Sequence, residues 1–232
     1  MQTFTDSEFG EIVVHKRRGS RKVSIKMGTD GRLVATVPPY TPIIYIKGVV
    51  RSAREELRKI VTSTTPAVAY SDGQPIGKHH ALAVVHTGMV AAPYAKIERN
   101  KLLVYLPPGA RIDAGETQQL IRDKVTAILR REAKATLPGR LAALAQAHHF
   151  HYAGIRFSHA AGRWGSCSSA GTISLNIALM KLPDALIDYV LIHELCHTRH
   201  MNHSPAFWSE VERYDPHFRL HRRQIKRETP SV

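Results

Sequence analysis

The sequence predicts an α+β protein: a β-rich amino-terminal part with interspersed helices, then a compact core with a helix that carries the candidate site residues and a short antiparallel sheet. Two strand-like apolar runs in the first half of the chain each end in Pro-Pro. Apolar residues at helical spacing follow each run. From Gly154 onward, the stretch IRFSHAAGRWGSCSSAGTISLN predicts two short strands around a turn of small residues, followed by helices.

Length and composition are typical of a packed protein. The chain has 232 residues, of which 43% are hydrophobic and 22% are charged, so a core can form without covalent links. The first residues lack the basic and apolar segments of a signal peptide, and no apolar run has membrane-spanning length. We therefore expect a cytoplasmic protein that does not contact a membrane and in which Cys167 and Cys196 stay reduced.

The charge of the chain favours polyanionic partners. Lysine and arginine number 33 against 19 acidic residues, a formal net charge of +14. The basic residues recur in HKRRGSRK near the start, in RRE at 130–132 and in HRRQIKRE near the end. Nucleic acid binding through this surface is one hypothesis, and the solvated faces of a basic protein are the alternative.

Two segments of the first half resemble each other. GRLVATVPP at 31–39 and NKLLVYLPP at 100–108 share a turn residue, a basic residue, an apolar run and Pro-Pro. Gly31 and Asn100 tolerate left-handed backbone, which predicts that each closes a hairpin with the preceding strand, KVSIK or YAKIE. The pattern indicates either a duplicated hairpin–helix unit or two unrelated hairpins.

A helix is predicted after each Pro-Pro. In the first, Thr41 is the expected cap and Pro42 the first helical residue. Its apolar face consists of Ile46, Val49, Val50, Ala53, Leu57 and Ile60. The second begins at about Gly115, and Pro138 should break or kink it. The segment 61–93 is predicted to be a loop with one strand around HALAVVH. We place a basic β-rich region at 1–112 and a helical, catalytic region at 113–232.

Four histidines lie in HELCHTRHMNHSPAFW, residues 193–208. The preceding LPDALIDYVLI predicts a helix with Pro183 in its first turn. His193 and His197 would lie one turn apart and only about 40° around that helix, so both can bind one ion. Glu194 projects beside them, too far round to be a ligand but able to contact a water held by the metal. This His-Glu-x-x-His pattern predicts a metal site.

The third ligand is predicted to be His203. His200 is excluded because a continuing helix would place it about 10.5 Å along the axis from His193. We expect the chain to turn, with left-handed backbone at Asn202, so that His203 returns to the metal. Ser204 and Pro205 are the expected cap and first residue of a new helix, SPAFWSEVERY. Glutamates on that helix, Glu210 or Glu212, are the alternative third ligand.

These residues carry a family resemblance. RWGSCSSAGTISLN followed by DYVLIHELCHTRHMNHSPAFW resembles the YgjP-like metallopeptidase family, a relative of the SprT and WLM groups, over about 156–227. The resemblance implies a compact zincin-like core of gluzincin-like shape, with zinc as the cofactor. It also implies that His193, His197 and His203 are the ligands and Glu194 the catalytic base. The strand TISLN would lie along the active-site cleft, where an extended substrate adds as another strand.

The chemistry that follows is peptide hydrolysis. Three histidine ligands leave the fourth zinc position open for water, whose proton Glu194 can accept during attack on a carbonyl. We therefore expect a zinc metallopeptidase acting on a peptide or protein, with nucleic acid nearby as a further hypothesis. The candidates for stabilising the oxyanion are Arg163, Tyr189 and Tyr214. Two alternatives remain, a metal-dependent nucleotide pyrophosphate hydrolase and a nucleic-acid-binding module with structural zinc.

Overall fold

The computed structural model confirms the α+β class. It describes residues 2–20, 22–28, 33–63, 69–159 and 162–232, with the side chains of 59–63 left out of the description. These residues form three small mixed sheets and six α-helices. The chain divides into two compact units, Met1–Ala69 and Tyr70–Val232. The sequence boundary at 112/113 lies further along because the predicted amino-terminal region included the second sheet.

Unit 1 is a four-stranded sheet followed by two helices. Its strands are β1 (Gln2–Asp6), β2 (Gly10–Lys16), β3 (Ser24–Met27) and β4 (Leu33–Val37), in the order β1-β2-β4-β3. The pairs β1–β2 and β3–β4 are antiparallel, whereas β2–β4 is parallel. The antiparallel β3–β4 pair is the predicted hairpin, and its turn at Gly31 lies outside the described residues.

The first predicted helix is two helices. α1 (Ile43–Ser52) and α2 (Arg54–Ser63) are separated at Ala53, whose φ of −97° and ψ of 14° are not helical. The cap prediction at Thr41 was wrong, because Pro42 itself holds the extended cap position and no side chain bonds the helix end. Despite the interruption at Ala53, the side chains of Ile46, Val50 and Leu57 are all buried in one core. The side chain of Ile60 lies outside the description.

Unit 2 begins with a sheet of the same arrangement. Its strands are β5 (Pro75–Ile76), β6 (His80–His86), β7 (Tyr94–Glu98) and β8 (Lys101–Leu106), in the order β5-β6-β8-β7. The predicted strand around HALAVVH is therefore confirmed as β6. The predicted hairpin between β7 and β8 is confirmed with Asn100 in its turn, but the left-handed residue is Arg99 (φ 52°) and not Asn100. The first residue of a two-residue hairpin loop needs positive φ in both favoured turn types.

The helix after this sheet is long and uninterrupted. α3 (Gly115–Ala147) has 33 residues and starts where the sequence predicted, but Pro138 does not break it. A proline inside a helix removes one backbone hydrogen bond. Leu137 and Leu141, on either side, are fully buried. Packing of these apolar side chains in the core offsets that loss.

The third sheet has three strands. These are β9 (Gly154–Ser158), β10 (Gly165–Cys167) and β11 (Thr172–Asn176), in the order β10-β11-β9. The sheet is mixed, because β11 is antiparallel to β10 and parallel to β9. The central strand β11 is TISLN, so both of its edges are paired and the prediction that a substrate adds to it was wrong. The edge strands are β9 and β10.

Three helices complete unit 2. They are α4 (Asp184–Cys196), α5 (Pro205–Tyr214) and α6 (Phe218–Ile225). α4 lies in the middle of a large apolar core that also contains α3 and the third sheet. Among the described residues, no helix has both the length and the apolar composition required to cross a membrane.

Candidate metal centre

The end of α4 positions the first two histidines. The helix starts one residue later than predicted, with Pro183 at its cap position, and is almost entirely buried. His193 lies in the last turn. His197 is the residue that follows the helix, and it keeps helical backbone with φ −66° and ψ −17°. Their ring centroids are 4.8 Å apart, as expected for residues one helical turn apart.

A tight turn then reverses the chain. The amides of Thr198 and His200 donate to the carbonyls of Leu195 and Cys196 at 2.9 and 3.0 Å, which ends the helix directly after His197. Asn202 does not adopt positive φ, so the prediction of left-handed backbone there was wrong. Hydrogen bonds to the carbonyls of the last turn of α4 replace a left-handed residue as the way of ending the helix.

The cap of the next helix holds His203 beside α4. As predicted, Ser204 caps α5, its Oγ accepting from the Phe207 amide at 3.4 Å, and Pro205 is the first helical residue. His203 immediately precedes this cap. Its Nε2 lies 3.2 Å from Nε2 of His193.

Three histidines therefore converge. One side-chain nitrogen from each of His193, His197 and His203 lies within 4.8 Å of the others, and this group could hold a metal ion. His200 is not part of it, because its Nε2 lies 2.8 Å from Oε2 of Glu210.

The alternative glutamate ligands have other partners. Glu210 also pairs with Arg199. Glu212 pairs with Arg219 at 3.2 Å. Neither glutamate belongs to the three-histidine group found among the described residues.

His193 and His197 are held in the neutral form that binds metals. Burial, together with the neighbouring histidines, lowers the pKa of His193 to about 3. Burial also lowers the pKa of His197. The Nδ1 of His197 donates to the His200 carbonyl at 2.9 Å, which leaves its Nε2 with a lone pair. A neutral imidazole whose orientation is fixed by a backbone carbonyl, as at His197, fits a metal ion.

Glu194 is buried beside this cluster. Its side chain has no hydrogen-bond partner at Oε2, and the residue is only 4% exposed. Burial raises its pKa to about 8, although the charge of Arg163 acts in the opposite direction. A buried carboxyl with such a pKa accepts a proton near neutral pH.

Gly165, which the sequence reasoning missed, makes room for Glu194. A Cβ on this first residue of β10 would lie 2.5 Å from Oε1 of Glu194. The backbone of the edge strand therefore packs directly against the carboxylate. The available signal was a glycine at the start of a strand, which often marks close approach of another group.

The cysteines are free thiols. Cys167 is partly buried on β10, and burial is the largest cause of its raised pKa. Burial raises the pKa of Cys196 to about 12, so both stay protonated at neutral pH. Their partly and fully buried environments support packing roles for both side chains.

The candidate oxyanion stabilisers are distributed unevenly. The ring of Tyr189 is 6.0 Å from that of His193, and burial raises its pKa to about 12. Tyr214 is engaged elsewhere, since its hydroxyl accepts from Arg199 at 3.2 Å and its ring packs on Phe150. Arg163 is exposed, and its charge reaches Glu194.

Two aromatic rings pack against the histidines of the cluster. Phe207 stacks on His197 with centroids 4.4 Å apart, and Trp208 stacks on His203 at 5.5 Å. Both rings come from the first turn of α5. The Ser204 cap therefore fixes both the position of His203 and the wall against which it rests.

Comparisons with known proteins give the family of the chain. The family model described as YgjP-like, metallopeptidase domain, matches residues 21–228. The chain belongs to the YgjP-like metallopeptidase family. This YgjP-like chain is also similar to the crystal structure of the metallopeptidase zymogen abylysin of Pyrococcus abyssi. That similarity has 27% identity and a TM-score of 0.34, and covers 37% of this chain and 87% of that one. The search of curated proteins found no match to the chain.

Proposed function

We propose that this YgjP-like protein is a zinc metallopeptidase of the His-Glu-x-x-His type that hydrolyses peptide bonds. His193, His197 and His203 would hold the zinc, and Glu194 would be the catalytic base. The observation that carries the proposal is the convergence of three imidazole nitrogens within 4.8 Å beside a buried carboxylate.

The donor set favours zinc. Three imidazole ligands suit zinc better than magnesium, which prefers oxygen ligands. When bound, zinc supplies a Lewis acid that makes water nucleophilic at neutral pH and polarises a carbonyl. The three-ligand set also argues against structural zinc, which has four protein ligands.

Glu194 would move the proton. Its unpaired Oε2 can accept the proton of the attacking water and then donate it to the leaving nitrogen. The close backbone of Gly165 limits the space of this carboxylate and so keeps its orientation. A carboxylate held in one orientation is suited to act as a base, because it is already in position when the water attacks.

The edge strand supports a peptide as the substrate. In the part of the chain that the structure describes, β10 pairs with β11 and with no other strand, and its first residue contacts Glu194. An extended peptide that paired with the other side of β10 would pass the catalytic carboxylate. A nucleotide phosphoanhydride has no peptide backbone that could pair with a strand edge. This makes the nucleotide pyrophosphate hydrolase the weaker alternative.

Metal analysis combined with peptide hydrolysis tests the proposal. Elemental mass spectrometry on protein purified without a metal-affinity tag should give about one zinc per chain. We expect His203→Ala to lose zinc. Glu194→Gln should keep zinc while peptide cleavage falls by about 10²-fold or more. Zinc retained at full level in His203→Ala would overturn the ligand assignment.

We also propose that the basic surface contacts nucleic acid. In unit 1, a surface recess of about 720 Å³ is lined in part by His15, Lys16 and Arg17. Binding of duplex DNA should weaken steeply with salt, and a Lys16→Ala, Arg17→Ala double variant should reduce the salt dependence. Absence of binding at low salt would exclude this role. The cytoplasmic location remains a prediction from the sequence.

A further inference from the structure

Arg222, on α6, lies close to the three-histidine cluster. Its guanidinium carbon is 4.3 Å from the centroid of the Trp208 ring. That ring stacks on His203, and its centroid is 5.8 Å from that of His193. Arg222 is therefore only one aromatic ring away from the cluster. Its side chain is exposed and can be reached by a substrate.

Arg163 lies on the Glu194 side of the same site. It precedes the edge strand β10 by two residues and is exposed. The first residue of β10 contacts Glu194, so Arg163 stands near one end of the strand edge where a peptide would pair. Two arginines therefore lie near the site: the charge of Arg163 acts on Glu194, and Arg222 lies over the Trp208 ring that stacks on His203.

The nearby carboxylates do not neutralise these arginines. Glu210 is paired with Arg199 and His200, and Asp215 accepts from His221 at 2.7 Å. In the described parts of the chain, neither Arg163 nor Arg222 forms an ion pair.

The stacked position of Arg222 suits carboxylate recognition. A guanidinium that lies over an aromatic face keeps its N–H groups in its own plane, where they are free to form bidentate hydrogen bonds. Arginine–carboxylate pairs with this geometry are stronger and more specific than those of a flexible ammonium. Trp208 therefore holds the cation in place before a substrate arrives.

We infer that the site prefers peptide segments with acidic side chains close to the scissile bond, recognised by Arg222 on one side and Arg163 on the other. The inference rests on the proposed peptidase function and adds its substrate class. An extended peptide advances about 3.3 Å per residue. Carboxylates two or three residues from the scissile bond would therefore reach these arginines.

Paired fluorogenic peptides test the preference. The two peptides differ only by Glu or Gln at two positions on each side of the scissile bond. With zinc-loaded protein at low salt, we expect kcat/KM to be about fivefold or more higher for the Glu peptide. The ratio should approach one near 1 M salt, where the screening length is about 3 Å.

Variants assign the preference to residues. Arg222→Gln and Arg163→Gln should each bring the Glu/Gln ratio toward one. Arg222→Lys should give an intermediate ratio, because the charge remains but the planar fork is lost. The matched control is Arg223→Gln, an exposed arginine on the same helix, which should keep the wild-type ratio. A wild-type ratio of one, or a ratio unchanged in both test variants, would overturn the inference.

A binding measurement separates this inference from the proposed function. Glu194→Gln protein loaded with zinc should bind the Glu peptide more tightly than the Gln peptide in fluorescence anisotropy. Preferential binding without any cleavage by the wild type would reject the peptidase proposal and keep the acidic preference. Cleavage of both peptides at equal rates would reject the acidic preference and keep the peptidase.

Discussion

The sheets of the two units share strand order and pairing, but the first hairpin of each sheet contacts a helix with the charges arranged in opposite ways. In unit 1, the arginines of α2 contact acids of the turn: Arg58 Nε lies 2.5 Å from Glu8 and Arg54 Nη2 lies 3.4 Å from Asp6. In unit 2, the helix supplies the acid. Glu132 of α3 accepts from turn residues of the β5–β6 hairpin.

Burial separates the two solutions. The side chains of Arg58 and Glu8 are 55% and 29% exposed, whereas those of His80 and Glu132 are only 6% and 5% exposed. When one partner of an exposed ion pair is removed, water solvates the remaining charge, so the free energy of unfolding changes little. The partners of a buried carboxylate, by contrast, stay unsatisfied after its removal. Equal topology therefore does not imply that equivalent contacts contribute equally to stability.

Removal of Glu132 should have the largest effect. The amides of Lys78 and His79 and the ring of His80 would all lose their acceptor. We expect Glu132→Ala to lower the free energy of unfolding by about 3 kcal/mol. Denaturant unfolding measures the loss, and hydrogen exchange should place it in residues 70–232. The control is Glu116→Ala, an exposed acid on the same helix, and an equal effect there would contradict the argument.

Close packing against a carboxylate recurs at Gly165. The added methyl group of Gly165→Ala would displace Glu194, so peptide hydrolysis should fall by about 10²-fold while zinc content stays unchanged. The matched control is Gly154→Ala. Gly154 also starts a strand of the same sheet, but a Cβ there meets nothing within 4 Å. Comparable rates for both variants would show that Gly165 does not position Glu194.

Two hairpin glycines sharpen the comparison between the units. Gly77 (φ +60°) and Gly10 (φ +70°) both have left-handed backbone, but only at Gly77 would a Cβ overlap Glu132. Gly10→Ala should cost about 1 kcal/mol from backbone strain alone. Gly77→Ala should cost about 1–2 kcal/mol more, because the buried carboxylate must move. Equal losses in thermal unfolding would mean that Glu132 adapts freely.

The exposed pair of unit 1 should show the smallest effect. The hydrogen bond from Arg58 is the largest cause that lowers the pKa of Glu8. A lowered folded-state pKa contributes stability above the ordinary Glu value of 4.5, and this contribution is lost as the pH falls through the folded pKa. Arg58→Ala should therefore destabilise slightly at pH 7 and low salt, and the loss should shrink as the pH falls through the folded-state pKa of Glu8. An effect that persists in 1 M salt would indicate a packing role.

Several features of the fold could be predicted because their causes are local. The start of α3 at Gly115, the strand HALAVVH and the Ser204-Pro205 cap each depend on residues within one or two turns of chain. Local sequence patterns failed where packing in the core and hydrogen bonds of the folded chain decide the backbone conformation. The buried leucines around Pro138 keep α3 intact, and carbonyls of α4 replace a left-handed Asn202.

The candidate site divides in the same way. The shared helix face of His193 and His197 and the place of His203 before a capped helix could be predicted from the amino acids alone, because spacing and capping are properties of the local backbone. The folded chain was needed to show that β11 is covered on both edges, that Gly165 confines Glu194 and that Arg222 rests on Trp208. Those contacts join residues far apart in the chain. They depend on which surfaces pack together in the core, and no short sequence pattern encodes that choice.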